Sequence, residues 1–469
     1  MENTRQILFE KNYVFNKAEK AFLQKLGDTK RVIVIWFRAE YGALTKLENF
    51  QKPHDGGLIG FFAQQTRDSY TPEVLQHYDM IIWYNADYTG YENINSDILT
   101  VPRKVPELDT FLSQAINVIP IKKIDLIEGE EIMTTTICRF RKKFGLEGPR
   151  FEDLDHLRNK TLEKIVAEKN GVPTAKFAIV DFKKLQNTEN AAMQIYKKIG
   201  GFPMFRKAVY GVGCSECGYI RDEKELKEWL DENVKAKSEA HLVEEVCRGR
   251  EFTACVALLS DGTWKPLYIS YNGEMTVNDN IKSCKPLPFH GDRFEDCENE
   301  FPNIKKFCDK VITAFNPPFP HLLAIQGFQL DIGKDGYYLT EMTYRIIGRR
   351  DTMLSYMYSG VSQETALLSL HLDPNYKAEP DPNKPKFFER HVWYPWKEGT
   401  LKSHRGVDKS APISCKLLYN WLVQPGTKLH NAIDAGHFIV SITLQNYNKD
   451  KLLADVDWLM ANWRPDVKK

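Results

Sequence analysis

A lysine closing an apolar run, followed at once by a glycine-spaced turn, can hold phosphate, and the stretch "GGFPMFRKAVYGVGCSECG" from Gly200 to Gly218 has that form. Gly211, Gly213 and Gly218 can take backbone angles closed to other residues and leave N–H groups free to surround an anion, while Lys207 brings a point charge to the same place. An ordinary exposed strand end looks much the same, so the segment does not decide the matter alone. Cys214 and Cys217 form a C-x-x-C within it. With no second pair and no histidine at ligand spacing they read as small turn residues, because a structural zinc site needs four ligands.

A second group of chemistry-bearing residues lies in "IQGFQLDIGKDGYYLTEMTYRIIGRRD". Asp335-Gly336 is a hairpin signal, which predicts Asp331 and Glu341 on the two flanking strands at an even offset. Across such a turn the two carboxylates come close on one face, as paired hard ligands suited to magnesium. Without a cation between them, that proximity would cost free energy. Arg345, Arg349 and Arg350 follow, able to grip phosphate or carboxylate in forked geometry. An exposed hairpin with solvated charges accounts for the same pattern. Glu244, Glu245 and Glu251 cluster around the break Arg248-Gly249-Arg250, and Lys160 sits in the first turn of a helix, where the dipole disfavours a cation unless an anion lies near.

The elements that must position these groups alternate in character. "RVIVIWF" (Arg31 to Phe37) and "MIIWYNA" (Met80 to Ala86) are short β-branched and aromatic runs of the kind buried in a parallel sheet. They carry no G-x-G-x-x-G after the first strand, so no dinucleotide is assigned. Met133, Ile137, Phe140 and Phe144 share a helical face that stops at Gly145 and Gly148. In "RNKTLEKIVAEKNGVPTAKFAIV" the spacing predicts a helix with Leu162, Ile165, Val166 and Lys169 on one face, ended by Asn170-Gly171. Leu226, Trp229 and Leu230 point inward from the next helix, and "EFTACVALL" is a strand. Ile304, Phe307, Cys308, Val311, Ile312 and Phe315 make a helical core stripe. After the proline-rich break "PDPNKP", the runs "GTLKS", "VQPGTKL" and "HFIVSITL" read as short strands before a last helix carrying Leu452, Val456, Leu459 and Trp463.

At 469 residues the chain suits about three domains. Its 64 Lys and Arg nearly cancel 63 Asp and Glu, and no dense basic run appears, so neither nucleic acid nor an anionic membrane is an expected partner. No apolar stretch is long enough to span a membrane, and the start "MENTRQILFEKNYVF" has no signal-peptide core. Nine scattered cysteines look like reduced thiols, and a cytoplasmic protein is expected.

Taken together, "RNKTLEKIVAEKNGVPTAKF", "GGFPMFRKAVYGVGCSECG", "VEEVCRGREFT" and "FQLDIGKDGYYLTEMTYR" resemble, in order and spacing, the motifs of the ATP-grasp superfamily of ATP-dependent carboxylate–amine ligases. The resemblance implies an α/β fold of the ATP-grasp type (α+β). It would comprise an N-terminal Rossmann-like domain over 1–150, an ATP-grasp domain over 151–375 with a lid at about 175–255, and a small C-terminal α+β part over 376–469. It implies Lys160 and Lys207 as nucleotide-binding lysines, with Asn159 where Asp is common, and Tyr210 to Gly218, including Gly211, Gly213, Cys214 and Ser215, as the loop over the phosphates. Glu244, Glu245 and the Val246 backbone would border the adenine, and Glu251 would hold the ribose. Asp331 and Glu341 would bind magnesium (or manganese), with Thr343 in the place of the usual Asn, a poorer hard ligand. Arg345 would contact the transferred phosphoryl group, with Lys207 and Arg349 assisting catalysis. His290, His321, Arg293 and Arg349 are candidates for docking the carboxylate substrate. The implied activity is ATP-dependent amide formation between a small carboxylate and an amine through an acyl phosphate, most like amino-acid and dipeptide ligases, including carnosine-synthase-like enzymes. Alternatives are a carboxylase-type ATP-grasp enzyme and a catalytically silent ATP-binding protein, and a homodimer stays open.

Overall fold

The computed structural model describes residues 4–36, 47, 49–85, 105–129, 131–211, 214, 216–273, 275–347, 351–384 and 387–469. The β-branched runs near the start form a parallel sheet of β1 (Arg5–Phe9), β2 (Arg31–Trp36), β3 (Gly56–Ala63), β4 (Met80–Tyr84) and β5 (Ile124–Glu128), in the order β1-β4-β3-β2-β5. β3 and β4 are buried along their whole length, as strands covered on both faces must be. Phe37 and Ala86, read from sequence as the last residues of two of these strands, lie outside the described residues. The helix Thr134–Phe144 follows and ends on Gly145 in the left-handed conformation, φ +67°.

Next comes a four-stranded antiparallel sheet of β6 (Phe177–Val180), β7 (Met204–Ala208), β8 (Cys217–Ile220) and β9 (His241–Glu245), ordered β6-β9-β7-β8. It has its own core: Ile195 of the helix Thr188–Ile199 and Leu226, Trp229 and Leu230 of the helix Glu223–Ala236 pack on Met204, Ile220 and Val243. The chain then enters an antiparallel sheet containing β10 (Arg250–Leu258), β11 (Trp264–Tyr271), β12 (Leu287–Asp292), β13 (His321–Gln329), β14 (Tyr337–Thr343) and β15 (Phe388–Pro395). The short β16 (Gly399–Ser403), β18 (Lys428–Leu429) and β20 (Asp466–Lys468) make a separate ribbon. β17 (Lys416–Trp421) and β19 (Phe438–Asn446) complete the large sheet, whose eight strands run β14-β13-β10-β11-β12-β15-β19-β17.

All six stripe residues of the helix Ile304–Phe315 are buried against this sheet, beside Phe252, Ala254 and Leu323. Burying one such side chain contributes about 1.5–3 kcal/mol. The opposite face of the sheet shares a core with the parallel sheet: Cys255, Ala257, Leu322 and Ala324 join Ile33, Ile35 and Trp83 through Leu367 and Leu368 of the helix Gln363–Leu372. Among the described residues, no helix is long and apolar enough to cross a membrane.

One helix buries a different face from the one its apolar spacing predicts. In Lys160–Lys169 the buried residues are Lys160, Thr161, Glu163, Lys164 and Ala167, while Ile165 is 44% exposed. Burying that many charges is tolerable only where each finds a partner.

Candidate active site

The helix Lys160–Lys169 starts at Asn159, whose side-chain oxygen accepts from the Thr161 and Leu162 N–H groups at 3.2 and 3.3 Å. That cap fixes Lys160 in the first turn, where its ammonium lies 3.0 Å from Glu341 Oε2 and donates to the Gly211 carbonyl at 2.8 Å. Phe205 of β7 sits opposite Glu244 of β9, so Lys207, two residues along, shares a sheet face with that carboxylate. Lys207 Nζ is 2.7 Å from Glu244 Oε2, and Lys164 Nζ is 2.5 Å from Oε1. Lys164 is one turn beyond Lys160, and its ammonium also donates to the Leu339 carbonyl at 3.0 Å, tying the helix to β14. Glu251, near the start of β10, accepts from Asn272 Nδ2 at 3.0 Å and the Val277 N–H at 2.9 Å. Glu245 Oε1 accepts the Lys176 N–H at 2.8 Å, so its carboxylate is spent on the sheet edge.

Electrostatics show how tightly these groups are gathered. Burial opposes ionisation of Glu341, yet Lys160 and then Lys207 outweigh it and hold its carboxyl below the usual range. Burial likewise acts against Glu244, and Lys164 and Lys207 bring it down to about 2. Lys207 is raised despite its burial, by Glu244 and Glu341. Lys160 is also raised against burial, by Glu341, Glu131 and Glu163. Glu163 sits on the same helix face and accepts the Met342 N–H at 3.0 Å, and burial pushes its carboxyl up to about 8. The segments therefore meet: Lys160, Lys207, Gly211, Cys214, Glu244, Glu245, Val246, Glu251 and Glu341 line one cleft. Phe205, Cys217, Tyr219, Cys247, Gln326 and Phe328 are among the other residues of its walls. Lys164 and Glu163 escaped the sequence reading because they interrupt an apolar pattern; their spacing from Lys160, one turn or less, was the available signal.

Asp331 is a correction. It stands exposed in the turn that Leu330 N–H and the Gly336 carbonyl close at 2.9 Å, outside both strands and outside the cleft. The residue facing Glu341 across the hairpin is Gln326, and the register shifts between Gln326 and Gly327. Arg345 is not among the residues that line the cleft: its Nε is 3.3 Å from Glu131 Oε2, and Nη1 donates to the Ile346 carbonyl at 2.7 Å. Thr343 is buried beyond Glu341 on the same strand, and its hydroxyl has no hydrogen-bond partner among the described residues. His321 is no docking group either, being buried with Nδ1 3.2 Å from His371 Nε2, which a second contact links to Asp125 at 2.8 Å. His290 stacks on Tyr271, with ring centres 5.3 Å apart, and Arg293 donates to the Lys384 carbonyl at 2.9 Å. Neither lines the cleft. Gly213, Ser215 and Arg349 lie outside the described residues.

Of the two carboxylates expected to hold a metal, only Glu341 lines the cleft. Glu341 offers the carboxylate, Gln326 an amide oxygen across the ladder, and Thr343 the unused hydroxyl. Among the described residues no three Asp, Glu, His or Cys side chains converge on one point. Magnesium is commonly held by one or two carboxylates with phosphate and water oxygens supplying the rest, so the set is sufficient only with a phosphate present.

No protein-family model matches the sequence, and no curated protein matches it. Solved structures do match in shape. An L-amino acid ligase from Bacillus licheniformis superposes with a TM-score of 0.64 at 14% identity, covering 94% of this chain and 100% of its own. The biotin carboxylase domain of the Hydrogenobacter thermophilus 2-oxoglutarate carboxylase gives 0.56 at 15% identity, over 93% of this chain and 91% of its own. An N5-carboxyaminoimidazole ribonucleotide synthetase from Thermus thermophilus gives 0.55 at 15% identity, over 92% and 100%. The chain has the fold of the ATP-grasp superfamily.

Proposed function

We propose that the cleft binds ATP and uses it to activate a small carboxylate for attack by an amine, forming an amide with release of ADP and phosphate. The observation that carries this reading is the convergence of Lys160 and Lys207, from unconnected segments, on one acidic cleft with Glu244, Glu251 and Glu341. Anionic phosphates would exchange places with the glutamates as partners of the two ammonium groups. Phe328 and Val246 offer apolar surface to a base, Glu245 borders it, and Glu251 offers acceptor oxygens to ribose hydroxyls. When bound at Glu341, Gln326 and Thr343, a divalent cation would neutralise phosphate charge. The Gly211 turn, with Gly213, Cys214 and Ser215, would exclude water from the acyl phosphate until the amine arrives. Arg345, once released from Glu131, and Arg349 are proposed to contact the transferred phosphoryl group.

Amino acids are the proposed substrates, since the Bacillus licheniformis neighbour is an L-amino acid ligase. A cytoplasmic setting and the division near residues 150 and 375, with a lid at about 175–255, belong to the same proposal. The test is ATP titration by calorimetry, then a screen of amino-acid pairs for phosphate release with products weighed by mass spectrometry. Lys207→Met should weaken ATP binding roughly 10- to 100-fold, the loss of about 1.5–3 kcal/mol for a hydrogen bond to a charged group. Unchanged ATP affinity in that variant would overturn the site. A silent nucleotide-binding protein is the second reading, favoured by Asp331 standing outside the cleft. Tight ATP binding with no ADP formed across the whole panel would decide for it.

A further inference from the structure

Glu244 serves two lysines, and only one of them faces the cleft. Lys207 Nζ is 2.7 Å from its Oε2 and lines the cleft, while Lys164 Nζ is 2.5 Å from Oε1 and is not among the lining residues. Lys164 is buried, and its three ammonium hydrogens meet three acceptors: Glu244, the Thr174 hydroxyl at 2.5 Å and the Leu339 carbonyl at 3.0 Å. Those acceptors come from separate segments, since Thr174 precedes β6, Leu339 belongs to β14 and Glu244 to β9. Backbone closes the same junction. The Leu339 N–H donates to the Pro173 carbonyl at 2.8 Å, and the Thr174 hydroxyl donates to the Leu339 carbonyl at 2.9 Å.

The two lysines therefore differ in their freedom to respond to a ligand. An anion in the cleft can draw the Lys207 ammonium toward itself, whereas Lys164 is held on three sides by groups of the fold. Once Lys207 turns to a phosphate, the Glu244 carboxylate, only 5% exposed, needs another counter-ion. Without one, its desolvation and its repulsion of the incoming anion would both oppose binding. Lys164 is the group in place to prevent this.

We propose that Lys164 is a positioning residue for the nucleotide: it keeps Glu244 paired and in place, so that Lys207 can give its ammonium to the phosphates. Lys164 acts through Glu244 and does not touch the ligand. Because it is anchored at Leu339, two residues before Glu341, it also fixes β9, which leads into Val246, relative to the strand that carries Glu341. The proposal rests on the reading of the cleft as an ATP site.

The test is a double-mutant cycle read by calorimetric titration of ATP into the full chain, Lys164→Met, Glu244→Gln and the variant with both changes, each checked for folding by its unfolding midpoint. Lys164→Met alone should weaken ATP binding roughly 10- to 100-fold, the effect of taking one charged hydrogen-bond partner from a buried carboxylate. In the Glu244→Gln background the same change should alter ATP affinity by less than about threefold, since no carboxylate remains to be stranded. If Lys164 served only to hold the junction through Thr174 and Leu339, the loss would be the same in both backgrounds. That equality, or an affinity that Lys164→Met leaves unchanged, would overturn the proposal. Lys164→Gln, which keeps a donor, carries the same expectation and replaces Lys164→Met should that variant fail to fold. A full chain that binds no ATP refutes the nucleotide reading and the proposal with it; ATP binding without the dependence on Glu244 refutes the proposal alone.

Discussion

Replacing Glu244 by glutamine keeps the side chain's shape and removes the carboxylate that two buried ammonium groups share. Lys164 Nζ and Lys207 Nζ stand 2.5 and 2.7 Å from its two oxygens, and none of the three side chains is more than 14% exposed. Burial would raise the Glu244 carboxyl, but the two lysines bring it from 4.5 to about 2. At about 1.4 kcal/mol per pH unit, that difference is worth about 3 kcal/mol of folding free energy. The figure agrees with the roughly 3–5 kcal/mol lost when one member of a buried pair is removed. Because the folded value lies below the unfolded one, the contribution is complete above pH 4.5 and fades as the pH falls toward about 2. Denaturant unfolding of nucleotide-free protein should therefore find Glu244→Gln about 3 kcal/mol less stable at pH 7. In a melt this is roughly 6–12 °C for a cooperative unit of 150–250 residues. The gap between parent and variant should narrow as the pH is lowered below about 4.5. Equal stability at pH 7 would refute the reasoning, since it would mean that the two lysines do not depend on this carboxylate.

Glu341→Gln should abolish ATP-dependent phosphate release while costing about 1 kcal/mol or less of stability. Glu341 is one-quarter exposed, and Lys160 keeps the Gly211 carbonyl, so a large fall in the unfolding midpoint would count against this. Asp331→Ala should leave phosphate release unchanged and move stability by no more than about 0.5 kcal/mol, because the residue is exposed in a turn; loss of turnover would restore Asp331 to the site. Gly249→Ala should destabilise by about 1–3 kcal/mol, measured by thermal unfolding: Gly249 holds φ +124°, and a Cβ there would meet the Gln329 carbonyl oxygen at 2.0 Å. A neutral result would mean that the connection between β9 and β10 can move aside.

Much of the cleft wall was legible one segment at a time. Gly211, Glu251 and the two lysines carry their chemistry in residue type and local setting, and the helix Ile304–Phe315 buries the stripe its spacing announces. The placement of Asp331 relative to Glu341 was not legible in the same way. An even offset across Asp335-Gly336 is compatible with several turn lengths, and the hairpin closes between Leu330 and Gly336, which leaves Asp331 inside the loop. The register shift at Gln326 then changes which residue faces Glu341. A single extra residue in one strand reverses which side chains share a face, and the pattern of apolar residues does not record it.

By itself the sequence determined most of the strands and helices, the near-neutral charge balance and the order of the segments that line the cleft, because these follow from residue type, local propensity and apolar periodicity. Tertiary structure alone decided which charges belong together. Lys160, Glu163 and Lys164 turn inward, against the apolar reading of their helix, since Glu341, the Met342 N–H and Glu244 arrive from distant strands to offset their desolvation. The free energy of a buried charge depends on partners far away in the chain, and only the folded arrangement brings those partners within reach.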